Sequence, residues 1–181
     1  MLRFDEEKAT QATALFLKLR GGRMHYLKLI KLLYLADRTA LLDWGIPITS
    51  DRYVSMDNGP VLSGVYSLIT EERPKPIWAQ FISAPLGEYE IELLKEAPKN
   101  RLSRAEERLI QDIFAKWGSS NRWDIVRYLH TLSEWKNPNG SSLPIHIHDI
   151  LKAGGESESE IRATIRELRS MAVAEESFDQ A

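Results

Sequence analysis

The segment from Met24 to Asp43 is the feature of the sequence that most limits how the chain can fold. Apolar residues recur in it at spacings of three and four, as in a helix with one buried face. Additional leucines widen this face, which predicts a helix contacted from more than one side. Gly45 and Pro47 end the pattern. The face comprises Tyr26, Leu29, Ile30, Leu33, Ala36, Ala40 and Leu41, and the leucines that widen it are Leu27, Leu32, Leu35 and Leu42.

Other helices are predicted before and after this central one. Their starts are indicated by residues that cap a helix N-terminus or, in one case, by a proline suited to the first turn. These starts are Asp5, Pro60, Ser103, either Ser120 or Asn121, and Ser157. The helix beginning at Pro60 should end before Pro74. The helix that follows Asn121 has an apolar stripe containing Trp123, Val126 and Leu129.

A small β-hairpin is predicted near the middle of the chain. Ile77–Ser83 and Glu88–Leu94 are both capable of forming strands, and the four residues 84–87 between them suit a turn. In the second segment apolar and acidic residues alternate, which is the period of a half-exposed strand. Because an isolated hairpin is marginally stable in water, it should pack on the helices.

These patterns predict a mainly α (α+β) fold. We expect a compact helical domain of about six helices with the hairpin inserted near its middle. The 181 residues suit a single domain spanning 1–181. Its C-terminal helix should cover about 157–173 and be followed by a loose tail over 174–181.

Composition excludes several classes of protein. The chain has no cysteine, so it is neither a disulfide framework nor a thiol enzyme nor a Cys-ligated zinc finger. Its net charge of −2 makes nucleic acid an unlikely partner. The longest apolar-rich stretch, Leu27–Leu35, contains two lysines and is far shorter than the roughly 20 residues of a membrane span. With no leader at the N-terminus, we expect no membrane association and a cytoplasmic location.

The histidines are the candidates for chemistry. His146 and His148 would share a face if they lay on a strand and could then chelate a metal, but not on a helix. His130 and Glu134 stand four apart on a predicted helix, where the carboxylate could tune a general base. The alternative is that all of them are ordinary surface or core residues. A metal-dependent enzyme using these histidines is therefore kept as an alternative function, although we expect no metal, no other cofactor and no catalytic residue.

The central helix also bears four polar residues at intervals of three: Lys28, Lys31, Tyr34 and Asp37. They follow one slowly drifting side of the helix and could form a stripe that contacts a partner. The alternative is that Tyr34 belongs to the core and that the lysines extend their apolar stems over it.

The same segment resembles a known family. The run Lys28–Ala36 resembles the K-L-x-K-L-L-Y-x-A signature of the Panacea domain, also called the SocA-like antitoxin domain. Similar motifs follow in the family's order, and the resemblance covers about residues 5–150. They are Gly45–Ile48, Asn58–Val61 with Tyr66, Leu102–Ser103, and His130 with Trp135–Lys136. Asn58 departs from the family, which often has an aromatic or basic residue before Gly-Pro.

The resemblance implies an antitoxin of a bacterial or phage toxin–antitoxin pair, which neutralises a cognate protein toxin by binding it. It also implies a second possibility, a proteolytic adaptor that delivers the toxin to the ClpXP protease. The domain is not known as an enzyme. For toxin binding we single out Lys28, Lys31, Tyr34 and Asp37, together with Trp78 near the hairpin. We expect Gly59, Pro60, His130 and Trp135 to have structural roles.

Overall fold

Helix α2 (Tyr26–Trp44) is the element around which the others are arranged in this computed structural model, which describes residues 3–72 and 75–179. Twelve of its 19 residues are buried. It contacts helices α1 (Glu6–Leu19), α5 (Arg104–Trp117), α6 (Arg122–Leu129) and α7 (Ile147–Ala153). The predicted contact of this helix on several sides is therefore confirmed. The helix ends at Gly45, which adopts the left-handed conformation (φ +73°) that favours glycine.

Three more helices complete the helical part of the described chain. Helix α3 comprises Ser63–Thr70, α4 is the single turn Trp78–Phe81, and α8 is the long C-terminal helix Glu158–Asp179. The described residues thus contain eight helices rather than about six, and the two additional ones are the short α4 and α7. The mainly helical α+β class is confirmed.

Local capping signals correctly located most helix starts. The Asp5 side chain accepts a hydrogen bond from the backbone N–H of Lys8, as an N-cap does. Ser103 and Glu106 form a reciprocal capping box at the start of α5. The Asn121 side chain accepts hydrogen bonds from two backbone N–H groups of α6.

A three-stranded antiparallel sheet flanks α2. It contains β2 (Tyr53–Met56), β3 (Gly59–Leu62) and β5 (Leu143–Ile145) in the order β3-β2-β5. Asp57 and Asn58 form the turn between β2 and β3, because Met56 pairs with Gly59. This finding corrects the prediction that Pro60 begins a helix. Pro60 lies in an edge strand, where its missing N–H is tolerated, and α3 begins at Ser63.

The hairpin predicted over 77–94 is also wrong in its first strand. Residues 78–81 form the helical turn α4, because the Glu6 carboxylate accepts hydrogen bonds from the backbone N–H groups of Ile77 (3.2 Å) and Trp78 (3.0 Å). The second segment does contain a strand, β4 (Glu90–Glu92). It pairs antiparallel with β1 (Arg23–His25), just before α2. The end of the first segment still folds back on it through antiparallel bridges, Ile82 with Leu93 and Leu86 with Glu90, and the backbone N–H of Ser83 donates to the carbonyl oxygen of Glu92 (3.0 Å).

Helix α3 receives its N-terminal cap from a distant residue. The buried Asp51 carboxylate accepts hydrogen bonds from the backbone N–H groups of Gly64 (2.7 Å) and Val65 (2.9 Å). Helix α3 then ends at Thr70, and the predicted limit at Pro74 lies outside the described residues.

The C-terminal helix is longer than the predicted 157–173. It runs to Asp179, because the residues after Val173 include Ala and Glu, which favour helix, and contain neither Gly nor Pro. Most of the predicted loose tail is thus helical, while residues 180–181 lie outside the described part. No helix in the described ranges is long and apolar enough to cross a membrane.

Candidate functional site

Lys28 lies inside the protein rather than on its surface. Its ammonium group donates hydrogen bonds to the carbonyl oxygens of Gly118 (2.6 Å) and Ser120 (2.7 Å). These carbonyls lie in the turn between α5 and α6. Lys28 therefore attaches the central helix to that turn, and burial lowers the pKa of its ammonium group.

Lys31 makes the same kind of contact one turn further on, with the β2–β3 hairpin. Its Nζ donates to the carbonyl oxygens of Gly59 (2.9 Å) and Pro60 (2.8 Å), and the side chain is fully buried. Burial lowers the pKa of Lys31 to about 7. Two aligned carbonyls replace water for the ammonium group, which explains how a lysine is accommodated in this position.

Tyr34 joins the helix to the segment that follows α6. Its hydroxyl donates to Oε1 of Glu134 at 3.1 Å, and the same oxygen accepts a hydrogen bond from Nε of Arg38 at 2.5 Å. The ring of Tyr34 packs edge to face against Tyr53, with centroids 5.8 Å apart. Burial, with the Glu134 charge acting in the same direction, raises the pKa of the Tyr34 hydroxyl well above its usual value.

Asp37 holds the segment that leads into β2. Its carboxylate accepts hydrogen bonds from the backbone N–H of Thr49 (3.0 Å), the Thr49 hydroxyl (2.7 Å) and the Tyr53 hydroxyl (3.3 Å). Complete burial nevertheless dominates and raises the pKa of Asp37 to about 7. Like the two lysines and Tyr34, Asp37 has its polar partners inside the protein.

These four side chains, which we call the anchor row (Lys28, Lys31, Tyr34 and Asp37), tie α2 to four separate parts of the chain. The exposed stripe that their spacing could have formed is not present, because each side chain turns toward an internal partner. The alternative, with Tyr34 in the core, is what the structure shows. Trp78 is buried as well, at 2% exposure, because it begins α4 instead of lying in a hairpin. In this conformation Lys31, Tyr34, Asp37 and Trp78 are 2% exposed or less, and Lys28 is 7% exposed.

His130 and Trp135 lie beside the hairpin held by Lys31. Their rings stack with centroids 3.9 Å apart, and Trp135 Nε1 donates to the carbonyl oxygen of Met56 at 3.1 Å. A Cβ atom on Gly59, whose φ is +91°, would lie 3.6 Å from His130 Cδ2. His130 does not share a helix with Glu134, because α6 ends at Leu129 and the Glu134 carboxylate pairs with Arg38.

The two other candidate histidines lie at the start of α7. The backbone N–H of His146 donates to Asp149, whereas His148 Nε2 lies 3.3 Å from Glu158. On this helix the two imidazoles do not share a face, so the chelating arrangement possible on a strand does not form. Within residues 3–72 and 75–179, no cluster of three or more His, Asp or Glu side chains could hold a metal ion.

An open groove next to the Lys31–hairpin contact combines aromatic rings with a cation. We call it the aromatic groove. Its walls include His25, Tyr26, Tyr66, Tyr89, Arg122 and Trp123, and its volume is about 480 Å³. Tyr89 and Trp123 are 59% and 44% exposed, which corrects the placement of Trp123 in an apolar stripe: the buried side of α6 is formed by Ile125, Val126 and Leu129.

The aromatic rings of this groove contact one another. Tyr26 and Tyr89 pack edge to face with centroids 5.8 Å apart, and His25 lies 5.9 Å from Tyr89. The Arg122 guanidinium lies over the Trp123 ring, 5.4 Å from its centroid. Burial, and then the Arg122 charge, lower the pKa of His25. Sequence reasoning missed Arg122, although a basic residue directly after a capping Asn and outside the apolar stripe is a recognisable surface position.

A second groove lies on another part of the surface and is mostly apolar, although Asp51, Arg52 and His146 also line it. It has a volume of about 330 Å³ and lies between the β2–β5 edge and helices α7 and α8. Its lining includes Tyr53, Val54, Pro144, Ile145 and Leu168.

Comparison with known proteins identifies the class of protein to which this scaffold belongs. A family model described as "Antitoxin SocA-like, Panacea domain" matches residues 29–136. The chain therefore belongs to the SocA-like antitoxin family with the Panacea domain, as the motif resemblance indicated. The match contains most of the anchor row, the hairpin, and His130 and Trp135. No curated protein and no solved structure gives a significant match.

Proposed function

We propose that this chain is the antitoxin of a toxin–antitoxin pair and that it neutralises a cognate protein toxin by binding it directly. The observation that carries this proposal is the antitoxin family match, which extends over residues 29–136. The family supports a toxin as partner and a role other than catalysis.

The arrangement of polar and aromatic residues supports a binding role. The polar groups of the anchor row form hydrogen bonds with the protein's own loops and strands, and these bonds fix the scaffold. The aromatic groove instead exposes Tyr, Trp and Arg, the residue types most enriched at the energetic centres of protein interfaces. A protein that inhibits a toxin by sequestering it requires a fixed scaffold and an exposed binding surface, and it requires no catalytic group.

The proposed place of action is the cytoplasm, in agreement with the lack of a membrane-crossing helix in the described ranges. The net charge of −2 favours a protein rather than a nucleic acid as partner. The family description names no protease, so delivery to ClpXP gains no support from the match.

Coexpression tests this function. The product of the neighbouring gene is expressed alone, with this chain, and with an unrelated helical protein as control, and colony formation is counted. We expect that the neighbour stops growth and that only this chain restores it. Growth arrest that persists in the presence of the folded chain would contradict the proposal.

A host without ClpXP distinguishes direct neutralisation from proteolytic delivery. Direct binding predicts the same restoration of growth in that host, because the toxin is inhibited by occupancy. Loss of restoration there would show that the chain acts as an adaptor.

A further inference from the structure

We infer that the aromatic groove binds a segment of a partner polypeptide through an acidic side chain held by Arg122, with a neighbouring apolar side chain packed against Tyr26, Tyr89 and Trp123. The identification of that partner as the toxin rests on the proposed function. The ligand chemistry follows from the groove itself.

The first observation is that Arg122 forms no hydrogen bond or ion pair with the described residues. Its guanidinium lies over the Trp123 ring and its Nε is buried without a partner, so its two terminal nitrogens are the atoms that a ligand can reach. A guanidinium has five N–H donors and no acceptor, so it needs oxygen atoms. A carboxylate is the ligand that matches its planar fork with two parallel hydrogen bonds.

The charges of the other residues at the groove leave Arg122 available. At the outer end, Arg23 pairs with Glu92 (2.8 Å) and Glu90 (3.7 Å), while Glu88 lies at the adjoining surface. At the inner end, Asp57 accepts a hydrogen bond from the backbone N–H of Gly140 (2.9 Å). Lys31 also lines the groove, but it is fully buried and its Nζ already donates to two carbonyl oxygens. Among the described lining residues, Arg122 is therefore the cation without a hydrogen-bond or ion-pair partner, which favours an acidic group at this point of the groove.

The second observation is the way in which Tyr89 is held. It has a positive φ of +68°, which is rare for a bulky side chain and costs about 1 kcal/mol or more. Its carbonyl oxygen accepts a hydrogen bond from the backbone N–H of Tyr26 (2.9 Å), and the two rings meet edge to face. This strained turn fixes an exposed aromatic ring beside the groove, as expected for an anchoring position in an interface.

The dimensions of the site favour a polypeptide over a small molecule. The aromatic groove adjoins a second cavity of about 890 Å³, with which it shares the lining residues His25, Tyr89 and Arg122. The larger cavity alone approaches the ~1,000 Å³ upper range of small-molecule pockets, and both cavities are open clefts. Arg122 lies where the two cavities meet, so a bound chain could extend past it in both directions.

Selection of random peptides displayed on phage tests the inference without any toxin, so its failure is separable from failure of the proposed function. The full chain is the bait, and Arg122→Glu is the bait for counter-selection. We expect enriched peptides to carry Asp or Glu next to a large apolar residue. A selection that enriches no such pattern would overturn the inference.

A double-mutant cycle then tests the pairing itself. Arg122→Gln should weaken binding of a selected peptide about 30-fold, and replacing the peptide's acid by its amide should then cause little further loss. Trp123→Ala should weaken it similarly. The matched controls are Arg127→Gln, on the exposed side of α6, and Trp44→Ala, whose side chain is also 44% exposed but lies away from the groove.

Three results would contradict the inference. One is an Arg122→Gln effect no larger than that of Arg127→Gln in a variant with an unchanged unfolding transition. Another is full additivity in the cycle, which would show that Arg122 and the acid do not touch. The third is Arg122-dependent binding of inorganic phosphate while no peptide binds, which would make the groove a small-anion site.

Discussion

The side-chain nitrogen of Lys31 lies 2.9 Å from the carbonyl oxygen of Gly59. This hydrogen bond connects two of the sequence motifs that resemble the family. One motif is on the central helix, and the other forms the tip and second strand of the hairpin. Because the lysine is fully buried, the contact acts inside the scaffold. Because of this burial, the pKa of the Lys31 amino group differs between the folded and the unfolded protein.

Replacing Lys31 by Met should remove a rise in stability at alkaline pH. The pKa of Lys31 is about 7 in the folded protein and about 10.4 in an unfolded chain. Between these values the unfolded state binds the extra proton, so the free energy of unfolding rises with pH by up to ~1.4 kcal/mol per unit. Urea unfolding from pH 7 to 10 measures this slope. We expect Lys31→Met to reduce it, whereas Lys152→Met, at an exposed site, should retain it.

Asp37 should produce the opposite trend at lower pH. Burial raises its pKa to about 7, so between roughly pH 4 and 7 the folded state holds a proton that the unfolded state has released. Stability from this group therefore falls as pH rises through that window. In urea titrations, Asp37→Asn should reduce the decrease in the free energy of unfolding with pH across this window. Asp43→Asn, exposed on the same helix, serves as control, and an equal effect of both variants would refute the assignment.

Gly64→Ala should destabilise the protein, although alanine normally favours a helix over glycine by ~1 kcal/mol. A Cβ atom at this position would lie 2.9 Å from Oδ1 of Asp51, the carboxylate that caps α3. That carboxylate is held by three backbone N–H groups and cannot retreat freely. We expect a loss of about 1–3 kcal/mol in chemical denaturation. The loss should shrink in an Asp51→Ala background, and an equal loss there would exclude the steric cause.

Glu134→Ala should be among the most damaging single changes. It removes the acceptor for both Arg38 and Tyr34 and leaves a half-buried cation unpaired, which typically costs about 3–5 kcal/mol. Thermal and urea unfolding measure the loss. Tyr34→Phe alone should cost about 1–2 kcal/mol and add little to Glu134→Ala. Additive losses would show that the two residues stabilise the protein independently.

Local sequence signals were enough to predict most helices of this fold. The extent of α2, the capping box at Ser103 and the cap at Asn121 all depend on residues within a few positions of one another. Predictions failed where the stabilising partner is distant in sequence. Helix α4 is capped by Glu6, and β4 pairs with a strand almost 70 residues earlier, which a local pattern cannot reveal.

The candidate site was also predictable only where local sequence determines it. The three-residue spacing of the anchor row correctly placed these side chains along one side of α2, but it could not show whether that side faces solvent. The two buried lysines need hydrogen-bond acceptors, and these are carbonyl oxygens from the turn at Gly118 and from the hairpin at Gly59. The aromatic groove was missed because it assembles His25, Tyr89 and Trp123 from three separate segments.

Titration of the purified chain into the purified product of the neighbouring gene, with no protease present, tests the central claim most directly. Calorimetry should show saturable binding with a dissociation constant of about 1 μM or tighter, accompanied by loss of the toxin's activity as the complex forms. Two folded proteins that form no complex, although coexpression restores growth, would contradict neutralisation by direct binding.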